Sequence, residues 1–110
     1  MNTVQLIGRL TRDPESRSAN DNDVCTLRLA VPRRRRSDGE DPGAVFVDVV
    51  TFAGLARSCA EHLGKGRQVA VTGRLELSEW EDTAGQRRSR HEVIADEVTF
   101  LEHPKVEVGA

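Results

Sequence analysis

Residues 44–80, AVFVDVVTFAGLARSCAEHLGKGRQVAVTGRLELSEW, decide the fold. Ala44–Phe52 is rich in β-branched and aromatic side chains, which suits a strand. Leu55, Cys59 and Leu63 then recur at every fourth position, with Ala56 and Ala60 beside them. That spacing predicts one short amphipathic helix, stopped by Gly64 and Gly66. Gln68–Trp80 returns to a period of two. Val69, Val71, Gly73, Leu75 and Leu77 share one face, and Thr72, Arg74, Glu76, Ser78 and Trp80 share the other. A strand, a short helix and a long strand therefore follow one another.

Outward from this centre the chain is β throughout. Thr3–Thr11 alternates, with Val4, Leu6, Gly8 and Leu10 on one face. Asp13-Pro14 breaks that strand, and Ser16–Asp23 has the polar composition of a loop. Val24–Val31 alternates again, placing Cys25, Leu27, Leu29 and Val31 inward and Arg28 outward, until Pro32 removes a ladder donor. Arg33–Gly43 reads as a long charged loop. Glu81–Gln86 has hairpin-loop composition, and Arg87–Leu101 returns as a last strand with apolar residues in its second half. The expectation is an all-β chain of five strands, with its one short helix between the third and fourth. That is the layout of a five-stranded OB-fold Greek-key barrel, a fold that binds oligonucleotides or oligosaccharides, although a small sandwich could be built from similar strands. The length of 110 residues suits one domain, expected over 1–102, with 103–110 a short frayed segment.

Composition excludes several classes. The longest apolar run, around Ala44–Val50, is interrupted by Asp48 and is far too short to span a membrane. The first residues carry Arg9, Arg12 and Asp13 without an apolar signal segment. Cys25 and Cys59 have no metal-ligand spacing and fall at apolar positions, so two reduced, buried thiols are expected. The location expected is cytoplasmic, and no membrane partner is expected. The net charge of −2 is not that of a globally basic nucleic-acid binder. Its distribution is more telling, because Arg28 and Arg33–Arg36 form one basic segment and Arg87, Arg88 and Arg90 another.

Residue by residue, Met1-Asn2-Thr3-Val4-Gln5-Leu6-Ile7-Gly8-Arg9-Leu10-Thr11-Arg12-Asp13-Pro14-Glu15 resembles the opening M-N-x-V-x-L-x-G-x-L-x-x-D-P-E of bacterial single-stranded DNA-binding proteins. Thr26–Val31 resembles that family's second strand, and Phe46–Leu55 its aromatic third strand leading into the helix. Gly64-Lys65-Gly66 with Val69–Leu75 resembles its K-G-x-x-V-x-V-x-G-x-L element. Trp80–Gln86 resembles its W-x-D-x-x-G-Q hairpin, and Glu92-Val93 begins the closing strand. The pieces succeed one another across 1–102 in unbroken order. The resemblance implies a homotetramer at the nucleoid that wraps single-stranded DNA regardless of sequence, in replication, recombination or repair. It also implies stacking by Phe46, Phe52 and Trp80.

The residues suit that chemistry. Every base has a π-face on which an aromatic ring can stack without reading sequence, and every nucleotide has a phosphate that a cation can neutralise. Phe46 and Phe52 are six apart on a strand and point to one face, where Asp48 argues against a simple interior. Trp80 shares its face with Arg74, Glu76 and Ser78, and a large apolar group on a polar face marks a site. The expected DNA-binding set is completed by Arg33, Arg34, Arg35 and Arg36 on the long loop, Arg87, Arg88 and Arg90 near Trp80, and Arg9, Arg28 and Arg74 on barrel strands. Phe100 is assigned to the core.

The sequence departs from the family in two ways. Aromatic content is 4% with no Tyr, which predicts less stacking, more phosphate contact and steep salt dependence. The family usually continues into a flexible linker and an acidic tip that recruits other proteins. This sequence reaches Val108-Gly109-Ala110 without either, so such recruitment is not carried over.

No enzyme is expected. Asp48, Asp96 and Glu97 lack motif spacing, Ser58 and His62 lack an orienting acid, and neither a metal nor a cofactor is called for. The alternative is an OB-fold accessory or interaction module, of the replication-restart or paralogue type, with weak DNA binding.

Overall fold

The computed structural model describes residues 1–19, 22–35 and 37–101. Arg36 and the 103–110 segment lie outside the described residues. Those described form β1 (Val4–Leu10), β2 (Glu15–Ala19), β3 (Asn22–Pro32), β4 (Ala44–Phe52), α1 (Ala53–His62), β5 (Gln68–Glu81) and β6 (Arg87–Phe100).

The pairing closes a barrel. β1 pairs antiparallel with β5, Leu6 opposite Val71, and its end meets β3 at Arg9 opposite Ala30. β3 pairs antiparallel with β4, and β5 with β6. A short parallel pairing of β4 with β6, Val49 beside Val93, completes the circuit. The five-stranded barrel is thus the expected OB fold, with its helix between β4 and β5.

The segment expected as a loop at Ser16–Asp23 is the exception. Glu15–Ala19 forms β2, which pairs with β3 from Glu15 opposite Thr26 to Ala19 opposite Asn22. Backbone pairing needs no apolar side chain, and β2 lies at the end of the sheet order, where polar residues face water. Arg57 of α1 pins this hairpin, its Nη1 2.8 Å from Asp23 Oδ2.

The interior is aliphatic. Leu27, Leu29, Val49, Val69, Val71 and Val93 are buried, together with Cys25, Cys59 and Thr51. α1 presents Ala56 and Cys59 to this core, with Leu55 packed against it. Both cysteines are free thiols. Phe100 packs against the core and lies beside His62, the ring centroids 6.3 Å apart and the rings tilted by 49°.

A second difference concerns β5. Val69, Val71 and Gly73 point into the barrel as expected, but Leu75 and Leu77 on the same face are exposed. β1 pairs β5 only as far as Val4 opposite Gly73, so beyond that point β5 and β6 leave the barrel as a two-stranded arm. A shift of register at Thr72/Gly73 marks the departure. Gly73 is required there, because a Cβ would lie 2.1 Å from the carbonyl oxygen of Ile94. At the tip, Asp82 accepts from the backbone N–H of Ala84 and of Gln86, each at 2.9 Å, and Gly85 supplies the positive φ of 80° that the turn needs.

Candidate nucleic-acid interface

The outer face of β3, β4 and β6, continued by the arm, gathers the aromatic residues. Side chains on β4 alternate, so Phe46, Asp48 and Phe52 face outward while Val47, Val49 and Thr51 face the core. Phe46 is 56% exposed, Phe52 47% and Trp80 43%. Asp48, between the two phenylalanines, is only 9% exposed.

Asp48 is covered by two arginines. Arg28, directly opposite it on β3, places Nη1 3.1 Å from Asp48 Oδ1. Arg90 on β6 places Nη1 3.6 Å from Oδ2, and its Nε 3.6 Å from Glu92. Each guanidinium also lies over a ring. Arg28 is 5.6 Å from the centroid of Phe46 and Arg90 5.3 Å from that of Trp80, both within cation–π range. Phe46, Arg28, Asp48, Arg90 and Trp80 thus form one continuous row across three strands and the arm. Phe52 shares the face but stands at the far end of β4, against the start of α1.

The other expected cations fall into two groups. Arg74 is tied to Glu76 at 3.2 Å and to Asp96 at 3.7 Å. Arg88 holds Asp82 at 2.9 Å, and it is the first cause of that carboxyl lying below its ordinary range, with the backbone N–H groups of Gln86 and Ala84 adding to it. Arg87 pairs with Glu79 at 3.3 Å, and the alternation of the arm puts both on the face opposite Trp80. Arg9 donates to the carbonyl of Gly66 at 3.0 Å, beside Ala30 and hence near Phe46. Arg33, Arg34 and Arg35 are exposed, and their side chains meet no acid among the described residues. The exposed pairs are worth at most about 1 kcal/mol each and a phosphate can replace the acid. The pairs on the buried carboxylate of Asp48 are harder to part, because an unpaired charge left there is costly.

Two contributors escaped the sequence reading. Arg12 and Arg17 line a cleft of about 220 Å³ beside Asp48 and Arg90, with Thr26 in its floor. The polar run around them gives no sign of β2, and without β2 there is no cleft. Asp48 was visible as an acid in an apolar strand, but its two partners come from distant parts of the chain. Of the carboxylates considered for catalysis, Asp48, Asp96 and Glu97, the first two each serve an arginine. Among the described residues no group of three or more His, Cys, Asp or Glu could hold a metal ion, and no helix is long and apolar enough to cross a membrane.

Comparison with known proteins agrees with this geometry. A model of the single-strand binding protein family matches residues 1–101. A single-stranded DNA-binding protein of Caldanaerobacter subterraneus subsp. tengcongensis is 45% identical over 111 residues, covering 100% of this chain and 73% of that protein. Its counterpart in Clostridium tetani is 43% identical, with 93% and 71% covered, and that of Thermotoga maritima 38%, with 96% and 77% covered. These are families of binding proteins rather than enzymes. With the match running from the first residue through the end of β6, the chain belongs to the single-strand binding protein family.

Proposed function

We propose that this chain binds and protects single-stranded DNA, without regard to sequence, during replication, recombination or repair. One observation carries the reading: Phe46 and Trp80 are exposed on a single outer face, each with a guanidinium over its ring. Rings presented in this way take any base, contributing ~1–3 kcal/mol per base stacked. The cations of the 33–36 loop supply phosphate contacts that carry no sequence information. Phe52 extends the same face, with Arg9, Arg28, Arg74, Arg88 and Arg90 around it, while Arg87 stands on the other face of the arm.

Trp80 provides the test. It is the only Trp and there is no Tyr, so intrinsic emission reports on that side chain. Poly(dT) quenches it and duplex DNA of the same length does not. Binding seen by another method without quenching would remove Trp80 from the interface, and no binding at all would remove the function.

We read the working unit as a homotetramer acting at the nucleoid. The support is an uncovered apolar surface: Leu75 and Leu77 are 46% and 49% exposed. Near Leu75, a cleft of about 280 Å³ is lined by Val4, Leu6, Val31, Val45, Val47 and Val93. An apolar surface of this kind on a small domain marks a protein contact.

A further inference from the structure

We propose that Asp48 is a positioning residue of the DNA-binding face, holding Arg28 and Arg90 over the rings of Phe46 and Trp80 so that they serve base stacking rather than phosphate neutralisation. The inference rests on the reading of this face as the single-strand interface.

The argument begins with burial. Asp48 is a nearly covered carboxylate on the outside of a barrel strand, and such a charge is tolerated only when it is paired. Arg28 and Arg90 supply the pairing from two different strands at 3.1 and 3.6 Å. Each of these arginines is thereby held at one end. An untethered arginine on this face would sweep through many rotamers and swing out to whichever phosphate passed. A tethered one keeps its guanidinium carbon over the neighbouring ring, at 5.6 Å for Phe46 and 5.3 Å for Trp80. A flat guanidinium stacks on aromatic surfaces as a ring does. The row therefore presents two rings and two guanidinium groups held beside them.

Charge makes the same point. Arg28 and Arg90 are balanced by Asp48 and Glu92, the latter 3.6 Å from Arg90. This part of the face is close to neutral before DNA arrives, so few counterions are released from it. Phosphate neutralisation falls to exposed cations that meet no acid among the described residues, such as Arg33, Arg34 and Arg35. A chain with 4% aromatic residues gains stacking area in this way without adding rings.

The experiment compares the full chain with Asp48→Asn and with Arg90→Lys, titrating oligo(dT) from about 0.1 to about 1 M salt. Each phosphate newly neutralised adds about 0.7 to the slope of log affinity against log salt. Asp48→Asn frees two arginines, so its slope becomes steeper by about 0.7–1.4. At about 1 M salt, where stacking dominates, it binds about five-fold more weakly, the loss expected for two cation–π contacts. The emission of Trp80 in the free protein also changes, because Arg90 leaves the ring. A carboxylate that served only folding would lower affinity equally at every salt concentration, and an unchanged slope with unchanged emission would overturn the proposal. Arg90→Lys keeps the charge and loses the plane: affinity at high salt falls about three-fold. Equal high-salt affinity in that variant would make Arg90 a phosphate ligand and overturn the proposal even if Asp48→Asn did not fold. The emission change needs no DNA, so the tether is judged separately from the reading of the face.

Discussion

Cys59 shows how burial alone sets the chemistry of a side chain here. It is fully buried on the core face of α1, and burial, with Cys25 nearby adding to it, pushes its thiol from 9.0 up to about 12, against a smaller opposing contribution from the Thr51 hydroxyl. The Cys25 thiol is raised for the same first reason. The folded state then keeps a proton that the unfolded chain gives up near pH 9.0. The stabilisation is whole below that pH and is lost as the pH rises toward about 12, by up to ~1.4 kcal/mol per pH unit for a single thiol. Cys59→Ala lacks this titration but carries a small void, so it starts less stable at neutral pH. Urea unfolding at several values between pH 9 and 12 checks the sign. The gap between the parent and Cys59→Ala narrows as the pH rises, and a constant gap would place the thiol in a wetter site.

At the scale of elements, the arm of β5 and β6 is where the molecule departs from its barrel. Its inner face carries Leu75 and Leu77 into solvent, while its outer face carries Trp80 and Arg90. The two faces therefore serve different contacts, and substitution on one should spare the other. Leu75→Ser with Leu77→Ser is expected to lower the solution mass of the proposed tetramer toward that of one or two chains. Because neither side chain is buried in the single chain, its intrinsic stability should change by about 1 kcal/mol or less. Light scattering with thermal unfolding distinguishes the outcomes, and an unchanged tetramer would place the interface elsewhere. This arm also marks how far the sequence could be read. Strand alternation identified β1, β3 and β5 because one face of each is buried, and Leu55, Cys59 and Leu63 located α1. Alternation does not say where a strand leaves the core, so Leu75 and Leu77 looked no different from Val69 and Val71. β2 was hidden for the opposite reason: its pairing lies in the backbone and its side chains are polar. Phe46 and Trp80 stood out as aromatics among polar neighbours. The acids that hold Arg28, Arg74, Arg87, Arg88 and Arg90 could not be assigned, because most lie across a strand pairing that only the fold creates.

For the molecule as a whole, those pairings divide the cations into two populations. Neutralising about five phosphates gives a slope near −3.5, or about a hundredfold loss of affinity for a fourfold rise in salt. Arg28, Arg74, Arg87, Arg88 and Arg90, on the barrel and arm, are each met by an acid within 4 Å. Arg33, Arg34 and Arg35 meet none among the described residues. The steep part of the salt dependence should then come from the 33–36 loop, and the salt-resistant part from the row of Phe46, Arg28, Arg90 and Trp80. Replacing Arg33, Arg34 and Arg35 together by Gln separates them. The slope becomes shallower by about 2, so that affinity at about 0.1 M salt falls roughly twentyfold relative to that at fourfold higher salt. Affinity at about 1 M salt is unchanged, since the stacking row is intact. Trp80→Ala does the reverse, with the slope preserved and about tenfold or more lost at every concentration. If the loop variant instead kept the parent slope, the phosphates would be held by arginines that exchange their acids for DNA, and the exposed pairs of Arg87 and Arg88 would be the first of these to test.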